Sequence, residues 1–275
     1  MTKTIWTYWH QGFDQAPEII QHCIASWKKH HPEWEIHLLD QDSVWDHLDR
    51  LDLSGDVQKK LGLAHTSDLI RTKLLVKHGG VWADPTCFCV QPLDEWLPDY
   101  MDAGVFMFHR PGRDRIISNW FIAANPDDPL LEKIYSALCA YWNSYHFVNL
   151  GRKEKSKTEQ WLNRIINRNL SWPRIWFSPL MTRLLRLFPY MVYHFKVYDL
   201  IRTDKECAAI YQTMNKYPAD IPHKMQRFGL LKPLTDEARQ WVDEQRSPLY
   251  KLTWKLDSPT IPKDSVLYYL IDSQA

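Results

Sequence analysis

The sequence predicts an α/β protein built on a Rossmann-like sheet with a helical insertion or subdomain. Three observations predict it. Residues 4–84 read strand, helix, strand, helix, helix, strand, the order of an α/β nucleotide-binding half, in which ligands collect beyond the carboxyl ends of the strands. The 275 residues, 45% hydrophobic and 24% charged, suffice for one large domain or one domain with an appended subdomain. Only 9 glycines are present, and neither G-x-G-x-x-G nor G-x-x-x-x-G-K occurs, which argues against a Gly-rich phosphate loop.

The elements follow in order. Thr4 to Trp9 is β-branched and aromatic and reads as a strand ended by Gln11-Gly12. Pro17 opens a helix to about His30, with Ile20, Cys23, Ile24 and Trp27 at helical spacing. Trp34 to Leu39 is a second strand, and a polar helix is expected over residues 42–50. Thr66 or Ser67 is placed to cap a helix bearing Leu69, Ile70, Leu74 and Leu75, with Lys77 and His78 at its negative end and Gly79 at its left-handed terminus. Gly80 permits close backbone approach, and Val81-Trp82-Ala83 is a short buried strand delivering Asp84 at its end. Gly104–Phe108 and Trp120–Ala124 are further strands, and Asp128–Trp142 is a helix. Residues 151–160 read as an exposed polar linker, 161–203 as helical, aromatic and basic, and the stretch from about 247 as strand-like again. The organisation expected is a nucleotide-binding core over 1–150, a basic aromatic insertion over 151–203, and a part over 204–275 that completes the core.

Charge is unevenly placed. The whole chain has 34 Lys/Arg against 33 Asp/Glu, which argues against a general nucleic-acid binder. Residues 151–203 nevertheless carry 11 Lys/Arg against 3 Asp/Glu, whereas residues 1–150 carry 13 against 20. The basic segment is either a solvated face balancing the acidic first half or a contact for an anionic partner. Its interleaved aromatic and arginine residues suit a helical core, sugar stacking, or peripheral contact with an anionic membrane over 161–203.

The five cysteines, odd in number and without C-x-x-C, favour reduced thiols. Cys87 and Cys89, two apart, would face one side of a strand. No signal-peptide pattern and no run of about 20 apolar residues is seen, so the expected location is the cytoplasm, with membrane contact at most peripheral.

The chemistry concentrates in residues 67–84. Asp68 and Arg71 are three apart on one helix and share a face. With Asp84 they supply two carboxylates and a guanidinium, which suit a hydroxyl-rich ligand. Asp84 can also take a hard divalent cation such as Mn²⁺ or Mg²⁺. An Asp–Arg pair with a purely structural role fits the same spacing.

Ser67-Asp-Leu-Ile-Arg71 with Gly79-Gly-Val-Trp-Ala-Asp84 resembles the sugar-binding signature of GT-A glycosyltransferases with a modified D-x-D motif. More narrowly, it is similar to the bacterial capsular polysaccharide synthesis protein family, related to mannosyltransferase-like and clostridial-toxin-like transferases. Tyr8-Trp-His-Gln-Gly12, Ala16-Pro-Glu-Ile-Ile20, Ser118-Asn-Trp-Phe-Ile-Ala-Ala124 and Lys251-Leu-Thr-Trp-Lys255 support the likeness.

The resemblance implies a GT-A-like fold and retaining transfer from a nucleotide-sugar donor to a glycan or lipid-linked glycan acceptor. It places Trp9 against the nucleotide base, the alternative being a core tryptophan. Asp68 and Arg71 fall at the donor sugar's hydroxyls, beside Gly80. Asp84 matches the first Asp of D-x-D, with ribose, sugar and metal contacts and a part in catalysis. Thr86 stands where many relatives carry the second, metal-ligating Asp. Lys251 and Lys255 are expected to neutralise the diphosphate, both from one face of a strand. His223 is a lesser choice for that task, and Tyr250 stands where a histidine is expected. A noncatalytic carbohydrate-binding or scaffold protein, and a nucleotide-sugar hydrolase, are the alternatives.

Overall fold

A computed structural model of the chain describes residues 1–274 except Lys153, Lys155 and Pro259, so Lys153 and Lys155 of the expected linker lie outside the described residues. The first half builds β1 (Thr4–Tyr8), α1 (Glu18–His30), β2 (Glu35–Leu39), α2 (Gly55–Lys60), α3 (Leu63–His78), β3 (Gly80–Ala83) and β4 (Cys87–Cys89). Then come α4 (Leu93–Trp96), β5 (Val105–Gly112), β6 (Arg115–Ala124) and α5 (Pro129–Ser144). The second half is mainly helical: α6 (Lys157–Ile166), α7 (Val192–Thr203), α8 (Lys205–Thr213), α9 (Lys224–Phe228), α10 (Asp236–Asp243), β7 (Leu249–Lys251) and α11 (Val266–Asp272).

The α/β expectation holds. The main sheet runs β2-β1-β3-β6-β5, with β1 parallel to both β2 and β3 and the β6-β5 edge antiparallel. A ligand crevice is therefore expected beyond the carboxyl ends of β1 and β3, where the chain leaves β1 on one side for β2 and returns on the other as β3. Burial alternates as the pleat requires. Trp6 and Trp82 enter the core shared with α3 and α5, while Ile5, Val81 and Ala83 enter the opposite one with Trp27 and Phe121. Cys87 and Cys89 share that second core, with Phe88 on the other face, as the two-residue spacing implied. Burial pushes the Cys87 thiol up to about 12.

Several boundaries depart from the sequence reading. α3 starts at Leu63 after Gly62, which has no side-chain cap, so Thr66 and Ser67 lie within the helix. The polar stretch 42–50 contributes only a 3₁₀ turn, Ser43–Asp46. The expected linker is shorter, because Ser156 and Glu159 form a reciprocal capping box that starts α6. Residues 161–203 are not one helical run: a 3₁₀ segment, Trp172–Phe177, and a π turn, Leu180–Leu184, separate α6 from α7. Pro173 and Pro179 explain the interruptions by removing helix donors. Trp176, Met181, Leu187 and Phe195 close around Ile166 as a small satellite core.

Two adjacent glycines set the start of β3. Gly79 (φ 66°) ends α3, and a Cβ there would lie 2.7 Å from the Pro126 nitrogen. Gly80 (φ 91°) lets β3 lie against β1, since its Cβ would stand 2.6 Å from the Thr4 carbonyl oxygen.

Candidate active site

A cavity of about 580 Å³ opens where the topology places it. Trp9 follows β1, Asp84 follows β3, α3 contributes Ser67, Asp68 and Arg71, and β7 contributes Lys251. Asp84 holds its place through the Trp120 carbonyl, which accepts its backbone N–H at 2.8 Å.

The Asp84 carboxylate is engaged on both oxygens. Trp82 Nε1 donates to Oδ1 at 2.9 Å and Arg71 Nη2 stands 3.5 Å from the same atom. Lys251 Nζ donates to Oδ2 at 3.3 Å and also to the Thr86 hydroxyl. Burial alone would raise the Asp84 pKa. The Lys251 and Arg71 charges, with the Trp82 indole bond, outweigh it and hold the carboxyl below its usual range.

Arg71 is the organiser of the group. It is 6% exposed and donates from Nη1 to the Asn119 carbonyl at 2.5 Å, from Nη2 to Ser67 Oγ at 3.0 Å, and from Nε to the Ser67 carbonyl at 3.2 Å. Its guanidinium lies 5.0 Å from the Trp82 ring centre and 3.4 Å from Asp68 Oδ1. Asp68 Oδ1 in turn accepts from Asn119 Nδ2 at 2.7 Å. The structure thus brings together Asp68, Arg71, Asp84, Thr86 and Lys251, and adds Asn119, Ser67 and Trp82 as their supports.

Trp9 is half-buried at the edge of a core cluster and lines the cavity, meeting Trp254 edge-on at 5.7 Å. His223 lines it too. Its Nδ1 hydrogen-bonds the Ala219 carbonyl at 2.6 Å, its ring meets Trp120 edge-on, and burial lowers its pKa.

Two expected members stand elsewhere. Gly80 begins β3, about 10 Å of strand away from its carboxyl end. The atom that a Cβ there would meet is a backbone carbonyl of β1, so close strand packing accounts for the glycine. Lys255 does not share a strand face with Lys251, because β7 ends at Lys251. Its ammonium rests 5.5 Å from the Trp254 ring and does not line the cavity. Tyr250 is fully buried, its hydroxyl on the Trp241 carbonyl.

The sequence reading missed Asn119, Arg115, Tyr190, His194 and Trp254 as cavity residues. Asn119 and Trp254 lay inside the quoted motifs, whereas Arg115, Tyr190 and His194 carry no local signal. His194 is buried, its Nδ1 has no hydrogen-bond partner among the described residues, and burial depresses its pKa to about 3, so the ring is neutral. Three cations, Arg71, Arg115 and Lys251, face two carboxylates in the lining, with Asp114 paired to Arg115 at 3.1 Å outside it, so cations outnumber carboxylates on the crevice wall although the first half of the chain is acidic.

The cation expected at Asp84 meets a poor donor set. Lys251 already bridges Asp84 and Thr86, the two positions of the modified D-x-D pair, and no cluster of three His, Cys, Asp or Glu ligands occurs among the described residues.

Residues 1–149 match the family model described as capsular polysaccharide synthesis protein. The chain belongs to that family. The chain is 26% identical over 160 residues to O-glycosyltransferase braB of Annulohypoxylon truncatum, covering 51% of this chain and 38% of that protein. It is 25% identical over 138 residues to O-glycosyltransferase PaGT of Phomopsis amygdali, covering 44% and 34%. The matched stretch thus spans little more than a third of either relative, and both are fungal. Among solved structures, the PaToxG glycosyltransferase is similar at TM-score 0.42 and 16% identity, with 90% of this chain and 85% of that chain covered.

Proposed function

We propose that this capsular-synthesis family member is a GT-A-like glycosyltransferase, moving a sugar from a nucleotide-sugar donor to a glycan acceptor in capsular or other cell-surface polysaccharide synthesis. One observation carries the reading. A carboxylate at the carboxyl end of a parallel strand is held between Arg71 and Lys251 in a cationic crevice walled by Trp9 and Trp254. Carboxylates accept hydroxyl hydrogens of a sugar, cations match a diphosphate, and indoles stack on a base.

In this reading Asp84 and Asp68 engage donor hydroxyls, and Arg71 is a positioning residue whose N–H groups fix both carboxylates. Lys251, close to both Asp84 and Thr86, neutralises the departing diphosphate in place of a divalent cation. Retaining transfer follows on one face of the donor. The anomeric carbon–phosphate oxygen bond breaks as the acceptor oxygen–carbon bond forms, and the acceptor's hydroxyl proton goes to the departing phosphate oxygen. No enzymic base is required, and the fixed cations supply the charge stabilisation.

The reading extends to peripheral contact with an anionic membrane at its cytoplasmic face. No described helix is long and apolar enough to cross a membrane. Between residues 161 and 190, however, Trp161, Trp172, Ile175, Leu180, Leu184, Leu185 and Tyr190 are exposed, and that stretch contains five arginines and no acidic residue. Apolar side chains rimmed by arginine suit an interface with acidic headgroups.

Asp84→Asn tests the central claim. Sugar transfer from a panel of nucleotide sugars is expected to vanish while the circular dichroism spectrum is retained; wild-type transfer by the variant refutes it.

A further inference from the structure

A second cavity, also about 580 Å³, lies beside the first and shares Ala64 and Tyr190 with it. His65 and Asp68 mark the wall between the two. They sit one turn apart on α3 with Nδ1 3.9 Å from Oδ2, His65 lining the second cavity and Asp68 the first.

The second cavity has a different chemistry from its neighbour. Part of its lining is a connected set of rings: His65 lies 5.5 Å from Phe188 and 5.7 Å from Tyr190, and Phe188 meets Trp142 edge-on at 5.0 Å behind them. The polar part includes Asn149, Glu159 and Asn163. Asn149 donates to Glu159 Oε1 at 2.8 Å and to the Phe188 carbonyl at 3.0 Å, and Asn163 donates to the Glu159 carbonyl at 2.7 Å. These bonds use both Asn149 N–H groups and hold the wall in shape before any ligand arrives, and the rings are fixed by one another. Rigid aromatic faces beside a polar rim of Lys60, Arg152, Glu154 and Asn163 match a ligand with an apolar ring face and a hydroxylated edge, which is a sugar.

We infer that this second cavity is the subsite for the acceptor sugar, and that Tyr190, common to both cavities, is the side chain past which the acceptor hydroxyl reaches the donor. The inference deepens the transferase reading and rests on it. A transferred sugar must pass between two molecules held simultaneously, so an acceptor site has to adjoin the donor site, and this cavity does. Lys60 and Arg152 in the second lining are balanced by Glu154 and Glu159, so its aromatic faces favour a saccharide over a second diphosphate, which suits the first cavity with its three cations against two carboxylates.

The test uses p-nitrophenyl α- and β-glycosides of glucose, galactose and mannose as probes, with binding read by saturation-transfer NMR so that no turnover is needed. UDP and GDP report on the donor cavity. Leu63→Trp changes an exposed side chain that lines the second cavity alone, and Asn163→Ala removes one of its amides. The expected result is glycoside binding by the wild type, weakened about tenfold in each variant, with nucleotide affinity within about twofold of wild type. Absence of glycoside binding, unchanged glycoside affinity in both variants, or an equal loss of nucleotide affinity overturns the subsite. Glycoside binding with the expected losses but no transfer from any nucleotide sugar leaves the sugar subsite standing and overturns the transferase reading beneath it.

Discussion

Replacing Lys251 by Ala isolates the ammonium that bridges Asp84 and Thr86. In the folded protein its Nζ stands 3.3 Å from Asp84 Oδ2, with side-chain exposures of 15% and 23%. Truncating one partner of a buried ion pair costs about 3–5 kcal/mol when the other charge is left alone. Asp84 is not left alone, because Arg71 remains at 3.5 Å and the Trp82 N–H at 2.9 Å. The expected loss is therefore about 2 kcal/mol, read as a fall in Tm of about 5 °C. The catalytic effect is larger, since one fixed cation facing the developing diphosphate charge is worth about 10²–10³ in turnover. The rate is read as nucleoside diphosphate released from the donor, with Lys251→Arg as the charge-conserving control. The pH dependence has a definite sign. A carboxyl whose folded pKa is depressed contributes stability above its unfolded value of about 3.9 and loses it as pH falls through the folded value. Removing Lys251 weakens that depression, so the variant's acid unfolding moves to higher pH. A variant with wild-type turnover refutes Lys251 as the neutralising group. An unshifted acid limb refutes the electrostatic account of Asp84.

Chelation tests the proposal that Lys251 stands in for a divalent cation: EDTA should leave wild-type donor turnover within about twofold, and a collapse restored by Mn²⁺ would refute it. His31 should make the fold acid-sensitive. Its Nδ1 donates to the Trp27 carbonyl at 3.1 Å while its Nε2 accepts the Leu93 N–H at 2.8 Å, an arrangement only the neutral ring satisfies, and burial lowers its pKa to about 4. The unfolded ring gains its proton near 6.5, so stability falls below that pH, by about 2 kcal/mol at pH 5 relative to pH 8; denaturant titrations of wild type and His31→Phe should show the difference shrink in the variant. Gly80→Ala should destabilise by more than about 1 kcal/mol, because it forces a Cβ against the Thr4 carbonyl at positive φ, yet the folded fraction should bind nucleotide normally, as dye-monitored melting with UDP or GDP will show. Arg183→Glu/Arg186→Glu should abolish sedimentation with phosphatidylserine vesicles at low salt; vesicle binding unaffected by the pair, or absent in the wild type, refutes the membrane contact.

The parts of this structure that were legible in the sequence share a cause. β1, α1, β2 and α5 declare themselves through period-two or helical spacing with an ending residue nearby, and Asp84 follows from a Gly-Gly break before a short apolar run. What escaped has separate physical causes. Glycine reports that something approaches the backbone without saying what, so Gly80 suggested a ligand where the neighbour is a carbonyl of β1. Lysines four apart imply a common face only while the strand lasts, and β7 is three residues long, which separates Lys251 from Lys255. Likewise Gly62 starts α3 with no capping side chain, so the more conspicuous Thr66 and Ser67 drew the boundary inward. Arg115, Tyr190 and His194 are assembled from β6, the loop before α7 and α7 itself, and no spacing in the chain anticipates that meeting.

The pairing of β4 with β7 has a consequence for how the site comes into being. Lys251 lies opposite Cys87 in that two-stranded ladder, and the Leu252 N–H closes on the Thr86 carbonyl at 2.8 Å. The region that carries the family match ends at residue 149, so it holds Asp84 without the ammonium that neutralises it. Half-assembled, that region is a carboxylate site with Arg71 and Arg115 as its cations; only when a segment more than 160 residues downstream docks does the crevice acquire its third positive charge. Contacts between such distant segments form late in folding. Affinity for a diphosphate should therefore report completion of the whole fold, and a nascent or cleaved chain lacking β7 should be unable to sequester the donor.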